Sequence, residues 1–257
     1  MAKIHSTAVI SKKAHLGKDV EVGPYSVIGD NVKIGKATKI LNNVTIEGCV
    51  DIGENNKIFS GAVIGSPPQD LKYKGEESFL VIGNNNIIRE YVTINTGTKG
   101  NTTKIADGNL IMAYSHIAHD CEVGNRCIFA NNATLAGHVS VEDEVVIGGL
   151  SAVHQFVNIG KLAIIGGCSK VVQDVPPYST CDGHPAKVYS INSVGLKRAN
   201  IAKNTIHQLK TAFKILFHSG LSFTHAAKKL EEEFKDFSPE LSHLISFVKN
   251  SKRGISR

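Results

Sequence analysis

Apolar residues recur at every sixth position along most of the chain. The series begins Ile4, Ile10, Leu16, Val22, Ile28 and runs unbroken to Ile64. It resumes at Ile82, Ile88 and Ile94, and again from Ile105 to Val171. Of 26 such positions, 25 are Ile, Leu or Val, so a chance pattern is negligible. The residue four places later is usually small, as at Ala8, Ala14, Ser26 and Thr38, and the next residue is often glycine, as at Gly17, Gly23, Gly29 and Gly35. A period of six does not stay on one face of a helix with 3.6 residues per turn. It suits short strands joined by corners, with the repeated aliphatic pointing inward onto its equivalents. The predicted fold is mostly β, a parallel β-helix of hexapeptide repeats with three hexads per coil. Glycine and asparagine in "GDN", "LNN", "GNN" and "ANN" are expected to provide the left-handed backbone of the corners.

Two segments interrupt the series. Residues 66–79, "SPPQDLKYKGEESF", keep the phase, because Ile64 and Ile82 are one 18-residue coil apart. Residues 99–104, "KGNTTK", shift it by one. Both are expected to leave the solenoid as loops, where function tends to sit. The period stops near residue 192. "NTIHQLKTAFKILFHSG" reads as a helix ending on Gly220, and "SFTHAAKKLEEEF" and "SPELSHLISFVKN" as helices with Ser caps. A short helix around "VGLKRA" is expected before them. The division is a β-helix over 1–191 and an α-helical domain over 192–257 that covers the open end of the sheets.

Composition sharpens this picture. The chain has no Trp, 6% aromatics and 24 glycines, so its core is built from small and β-branched residues. Five cysteines without a CxxC pair suggest reduced thiols in a cytoplasmic protein. No run approaches the ~18 apolar residues of a membrane span, and "MAKIHSTAVI" is too polar for a signal peptide. Residues 1–193 carry 17 basic and 18 acidic side chains, whereas 194–257 carry 12 and 5. The tail is therefore expected to meet an acidic partner.

The repeat also places the histidines. Hexads starting at 117, 135 and 153 are one coil apart, so His119, His138 and His154 should stack along one face, with His116 at the corner before it. Three arrangements fit such a column: unrelated surface histidines, a zinc site, or a general base with supporting donors. An unperturbed imidazole titrates near ~6.5, which suits proton abstraction at neutral pH. Asp120 could orient the ring or stabilise its cation.

The segments "PQDLKYKGE", "HIAHDCEVGNRCIFANNATLAGHVSVED", "GGLSAVHQFVNIG", "GGCSKVVQDVPPY" and "GLKRA" resemble, in that order, the acyl-carrier-protein–UDP-N-acetylglucosamine O-acyltransferases that begin lipid A synthesis. The resemblance runs through essentially the whole chain. It implies a left-handed β-helix, a homotrimer with active sites in clefts between subunits, and no metal. It implies no cofactor beyond the phosphopantetheine of acyl carrier protein, and no nucleic-acid partner. A 3-hydroxyacyl chain would pass to the sugar 3-hydroxyl of UDP-N-acetylglucosamine. His119 matches the family's general base, Asp120 its supporting carboxylate, and Gly137 a residue whose N–H faces the oxyanion. Gln69, Asp70, Lys72, His116, His138, His154 and Gln155 match substrate contacts. Asn192 and Arg198 resemble contacts to nucleotide or pantetheine, and Gly167 the position that ends the acyl channel. Val194 and Ala199 depart from the family, where an acidic residue and a second Arg are common. A related N-acyltransferase has an extra N-terminal domain, for which a series starting at Ile4 is expected to leave no room. Another hexapeptide acyltransferase, acting on an amino-sugar nucleotide or using acyl-CoA, is the alternative activity. A non-catalytic β-helix or a zinc hydratase is the alternative class.

Overall fold

The computed structural model describes residues 1–234 and 236–257. Short strands wind through three sheets of 11, 9 and 8 strands, each sheet taking every third strand of the chain. The first starts with Lys3–Ile4, the second with Val9–Ile10 and the third with His15–Leu16. Pairing is parallel except in the hairpin Ser179–Gly183 with Ala186–Ile191, which ends the first sheet. Register follows the hexads: Ile117 lies beside Leu135, and Leu135 beside Val153. The result is a triangular prism whose coils rise about 4.8 Å each.

Two slots of each hexad fill the interior. The repeated aliphatics from Val22 onward are buried, including Ile58, Ile64 and Ile88 at 0% exposure. So are the residues four places on, such as Val20, Val44, Cys121, Val145 and Val157. Polar members of this second slot make a ladder inside the apolar prism. The Asn86 N–H donates to Asn56 Oδ1 (2.8 Å), the Asn109 N–H to Asn86 Oδ1 (2.8 Å), and the Cys127 N–H to Asn109 Oδ1 (2.7 Å). Each amide thus satisfies a backbone donor in the next coil that would otherwise be buried unpaired.

The corners differ from expectation. Asn43, Asn85 and Asn132 do adopt left-handed backbone, but so do Tyr25, Asp120, His138, Leu150 and Phe156. The recurrent glycines are needed for a different reason, close stacking of coils. A Cβ on Gly35 would lie 2.5 Å from the Gly53 carbonyl carbon, and one on Gly23 would lie 2.7 Å from that of Leu41.

Four helices follow in the described chain: α1 (Ser193–Arg198), α2 (Lys203–His218), α3 (Phe223–Glu233) and α4 (Pro239–Asn250). The hydroxyls of Ser222 and Ser238 accept the His225 and Leu241 N–H groups, capping α3 and α4. Leu209, Leu216, Leu230, Leu241 and Leu244 pack with Leu162 and Tyr178 of the last coils, so the helices cover that end of the prism. The last residues return to the β-helix: Asp174 N–H donates to the Gly254 carbonyl (2.8 Å) and Ser256 N–H to the Asp174 carbonyl (2.9 Å). Among the described residues, no helix is long and apolar enough to cross a membrane.

Replacing Asn109 with Ala strands the buried Cys127 N–H. The unfolding free energy is expected to drop by about 1–3 kcal/mol, read from the urea midpoint.

Candidate active site

One edge of the prism collects the chemistry. The corner from second to third sheet carries, on successive coils, the excursion after Ser66, the loop after Asn95, the pair His119–Asp120, then His138, then His154 to Phe156. Asp120, His138 and Phe156 occupy the same hexad slot, each with left-handed backbone (φ 58, 61 and 64°). His119, His138 and His154 therefore stand on a corner rather than on the face expected from the hexads, while His116, expected at the corner, lies in the strand before it, His116–Ile117. A left-handed corner turns its side chain outward, clear of the packed interior.

His119 and Asp120 form a hydrogen-bonded pair, Nδ1 to Oδ2, at 2.8 Å. With Nδ1–H donated to the carboxylate, Nε2 keeps its lone pair and can accept a proton. Gly137, one coil on, lies beneath the ring: a Cβ there would fall 2.6 Å from His119 Nε2. Any side chain at 137 would displace the imidazole. Among the described residues, no recorded hydrogen bond uses the Gly137 N–H. His138 meets His119 edge-to-face at 5.1 Å and stacks on Phe156 at 4.6 Å.

Asp120 is held from several sides, and its side chain is 6% exposed. Oδ1 accepts the Thr98 N–H (3.0 Å) and Oδ2 the Thr98 hydroxyl (2.8 Å). The Asp120 N–H donates to Thr103 Oγ1 (2.9 Å), and His138 Nε2 lies 3.6 Å from Oδ2. Burial alone would raise the carboxyl pKa. The hydrogen bonds from His119 and Thr98, with the nearby His138, outweigh it and keep the group below its usual range. Asp120 is thus an anion beside His119 at neutral pH.

The remaining candidates divide. His116 points to Thr93, Nδ1 to Oγ1 at 2.7 Å, and burial, then the neighbouring His119, lower its pKa. His154 is turned toward the C-terminal tail, where Arg253 Nη2 donates to its Nδ1 at 3.2 Å, and Gln155 beside it is exposed. Gln69, Asp70 and Lys72 lie on the first excursion, where Asp70 Oδ1 accepts the Lys72 N–H (2.9 Å). Among the described residues, no hydrogen bond within the chain joins these three to the histidines. Asn192 is 5% exposed and its amide serves the junction: Oδ1 caps α1 through the Gly195 N–H (2.8 Å), and Nδ2 donates to the Leu162 carbonyl (2.8 Å). Arg198 is exposed in the last turn of α1. Gly167 lies on another edge, the corner from first to second sheet, with only the Gly149 backbone within 4 Å of its missing Cβ.

Sequence reasoning missed Thr98, Thr93, Phe156 and Arg253. Phe156 was within reach, three residues after Val153 just as Asp120 and His138 follow Ile117 and Leu135. Thr93 was too, since it precedes Ile94 as His116 precedes Ile117, one coil on; Thr98 and Arg253 lie on segments that follow no period.

The donor set of His119, Asp120 and His138 brings three ligand atoms within 4.8 Å of one another, so a cation is geometrically possible. His119 Nδ1 is committed to Asp120, which leaves Nε2 as the ring nitrogen available for chemistry.

The hexapeptide coils are those of a hexapeptide-repeat transferase, and residues 102–137 match the family described as "Bacterial transferase hexapeptide (six repeats)". Residues 174–256 match "Udp N-acetylglucosamine O-acyltransferase; Domain 2". The acyl-[acyl-carrier-protein]–UDP-N-acetylglucosamine O-acyltransferase of Thermodesulfovibrio yellowstonii is 54% identical over the whole of both chains. That of Herminiimonas arsenicoxydans is 49% identical, again over the whole of both. The solved structure of LpxA from Acinetobacter baumannii superposes with a TM-score of 0.96 at 46% identity, covering 99% of each chain. The chain belongs to the UDP-N-acetylglucosamine O-acyltransferase family, and its fold is the left-handed parallel β-helix.

His116 gives a pH dependence. Its folded-state pKa lies below the unfolded value near ~6.5, so the unfolded chain binds the extra proton first. Stability should decline as pH falls below about 6.5, and His116→Gln should flatten that decline. Urea unfolding between about pH 5 and 7 at fixed protein concentration checks it.

Proposed function

We propose that this enzyme transfers a 3-hydroxyacyl group from acyl carrier protein to the 3-hydroxyl of UDP-N-acetylglucosamine, the first step of lipid A synthesis. The observation that carries the mechanism is the His119–Asp120 pair, with Nε2 bare above Gly137. Nε2 takes the sugar hydroxyl proton as the oxygen attacks the thioester carbonyl. The tetrahedral oxyanion accepts the Gly137 N–H. As the C–S bond breaks, the imidazolium returns its proton to the leaving pantetheine thiolate, and Asp120 stabilises the cation throughout. Every proton is accounted for by these residues and the substrates, so the reaction calls for neither metal nor cofactor. Both substrates place it in the cytoplasm.

A homotrimer completes the site. In one chain Gly167 and His119 lie on different edges, so one acyl channel reaches both most directly across two copies. The edge bearing Gly167 also exposes Tyr91, Tyr114 and Leu150, with the tyrosine rings stacked at 5.3 Å. Packing this edge against the histidine edge of a neighbour makes a heterologous contact that closes on itself in a ring. It would set Gln69, Asp70, Lys72, His138, His154 and Gln155 around a shared cleft. Lys197, Lys203, His207 and Lys210 rim a depression lined by Ile201 and Ile206, a basic surface for an acidic carrier protein, with Arg198 beside it.

Mass spectrometry of a mixture of UDP-N-acetylglucosamine with a ladder of 3-hydroxyacyl carrier proteins should show one O-acylated product. His119→Ala should lower kcat by about 10²–10⁴-fold, and chelator treatment should leave turnover unchanged. Full turnover by His119→Ala would remove the base from the mechanism. Leu150→Asp should convert the trimer to smaller species in sedimentation and abolish transfer; a stable trimer with normal activity would place the interface elsewhere.

A further inference from the structure

The two interruptions of the hexad series are one device. Both leave the prism at the corner from second to third sheet, on the two coils before His119 and Asp120. They bond to each other where the first returns and the second turns. The Gly97 N–H donates to the Phe79 carbonyl (3.0 Å), the Phe79 N–H to the Asn101 carbonyl (3.1 Å), and the Gly100 N–H to the Glu77 carbonyl (2.8 Å). The buried hydroxyls of Ser78 and Thr96 meet at 2.8 Å. The second loop closes tightly, with the Asn101 N–H on the Thr98 carbonyl at 2.6 Å. It also leaves no room for a Cβ at Gly97, which would lie 2.5 Å from the Asn101 carbonyl oxygen. What this buttress presents to the next coil is Thr98, whose N–H and hydroxyl take one oxygen each of the Asp120 carboxylate.

We propose, resting on the acyl-transfer reading above, that Thr98 is a positioning residue of the reaction: it acts through Asp120 and fixes which imidazole the carboxylate serves. Asp120 Oδ2 has two candidates, His119 Nδ1 at 2.8 Å and His138 Nε2 at 3.6 Å. A carboxylate free to rotate would divide itself between them. With both oxygens pinned by Thr98, Oδ2 stays on His119, which keeps the proton on Nδ1 and Nε2 bare. Asp120 is also more than a static acceptor here. The Thr98 donors share its charge and stabilise it as a carboxylate. The loop that breaks the repeat therefore supplies the donor pair that holds Asp120.

The test uses Thr98→Val, which removes the hydroxyl and keeps the shape, and Thr98→Ser, which restores it. The Val variant should lower kcat about ten-fold with little change in KM, and the Ser variant should return close to the parent rate. Because Thr98 acts through Asp120, adding Thr98→Val to Asp120→Asn should change kcat by less than about two-fold. An undiminished kcat in Thr98→Val overturns the proposal. So does an equal loss in the Asp120→Asn background, which would mark a merely structural role. Nitrogen NMR of histidine-labelled protein reads the same point without turnover. The parent and the Ser variant should show His119 protonated on Nδ1, and the Val variant a mixture of tautomers. An unchanged spectrum in the Val variant also overturns it. Absence of any product from the parent enzyme would count against the acyl-transfer reading alone, since the tautomer measurement stands by itself.

Discussion

The structure depends on one constraint: successive coils cannot slip. Each coil returns after 18 residues with an aliphatic above an aliphatic and a second inward residue above its equivalent. A slip of one residue would turn both inward slots out and bring polar corner side chains into a prism packed without room for them. The interior is therefore a set of stacked columns, and the backbone bonds along the column direction are fixed with it. The asparagine ladder strengthens the lock, because each buried amide oxygen meets its backbone donor at only one register.

The site is a consequence of that rigidity. A corner residue with left-handed backbone stands over its counterpart in the next coil, so Asp120, His138 and Phe156 form a column without long-range loops to gather them. His119 lies over Gly137 by the same rule, and the absent side chain there leaves the ring its place. Electrostatics finish the arrangement. A carboxylate kept ionised by His119 and Thr98 stands beside an imidazole whose Nε2 lies over Gly137. The second edge, with Gly167, Tyr114 and Leu150, belongs to the same rigid body, so a neighbour docking on it meets preformed surfaces.

Where the chain is periodic, its physical consequences could be worked out in advance. The inward columns, the two interruptions of the series and the serine-capped helices follow from local pattern, but the second loop falls before the expected 99–104, since Thr102–Ile105 is a paired strand. The glycines show the limit of that reasoning. Their frequency suggested left-handed corners, but at Gly23 and Gly35 the controlling contact is the backbone of the next coil, which only the stacked structure presents. Asn192 shows another, since a conspicuous amide at the domain junction is taken up by capping α1 and by Leu162.

By itself, the sequence determined the architecture and the coil on which each histidine lies, though not the corner it occupies, because a six-residue period converts position along the chain into position in space. Tertiary structure decided what those histidines touch. Thr98 reaches Asp120 only because two aperiodic loops bond to each other across their own returns. Arg253 reaches His154 only because the last residues pair with Asp174. His154 thereby leaves the others, while His119 and His138 stay together. Contacts of this kind join residues far apart in the chain through segments with no repeat. Their geometry is fixed by the whole folded chain and by no local pattern within it.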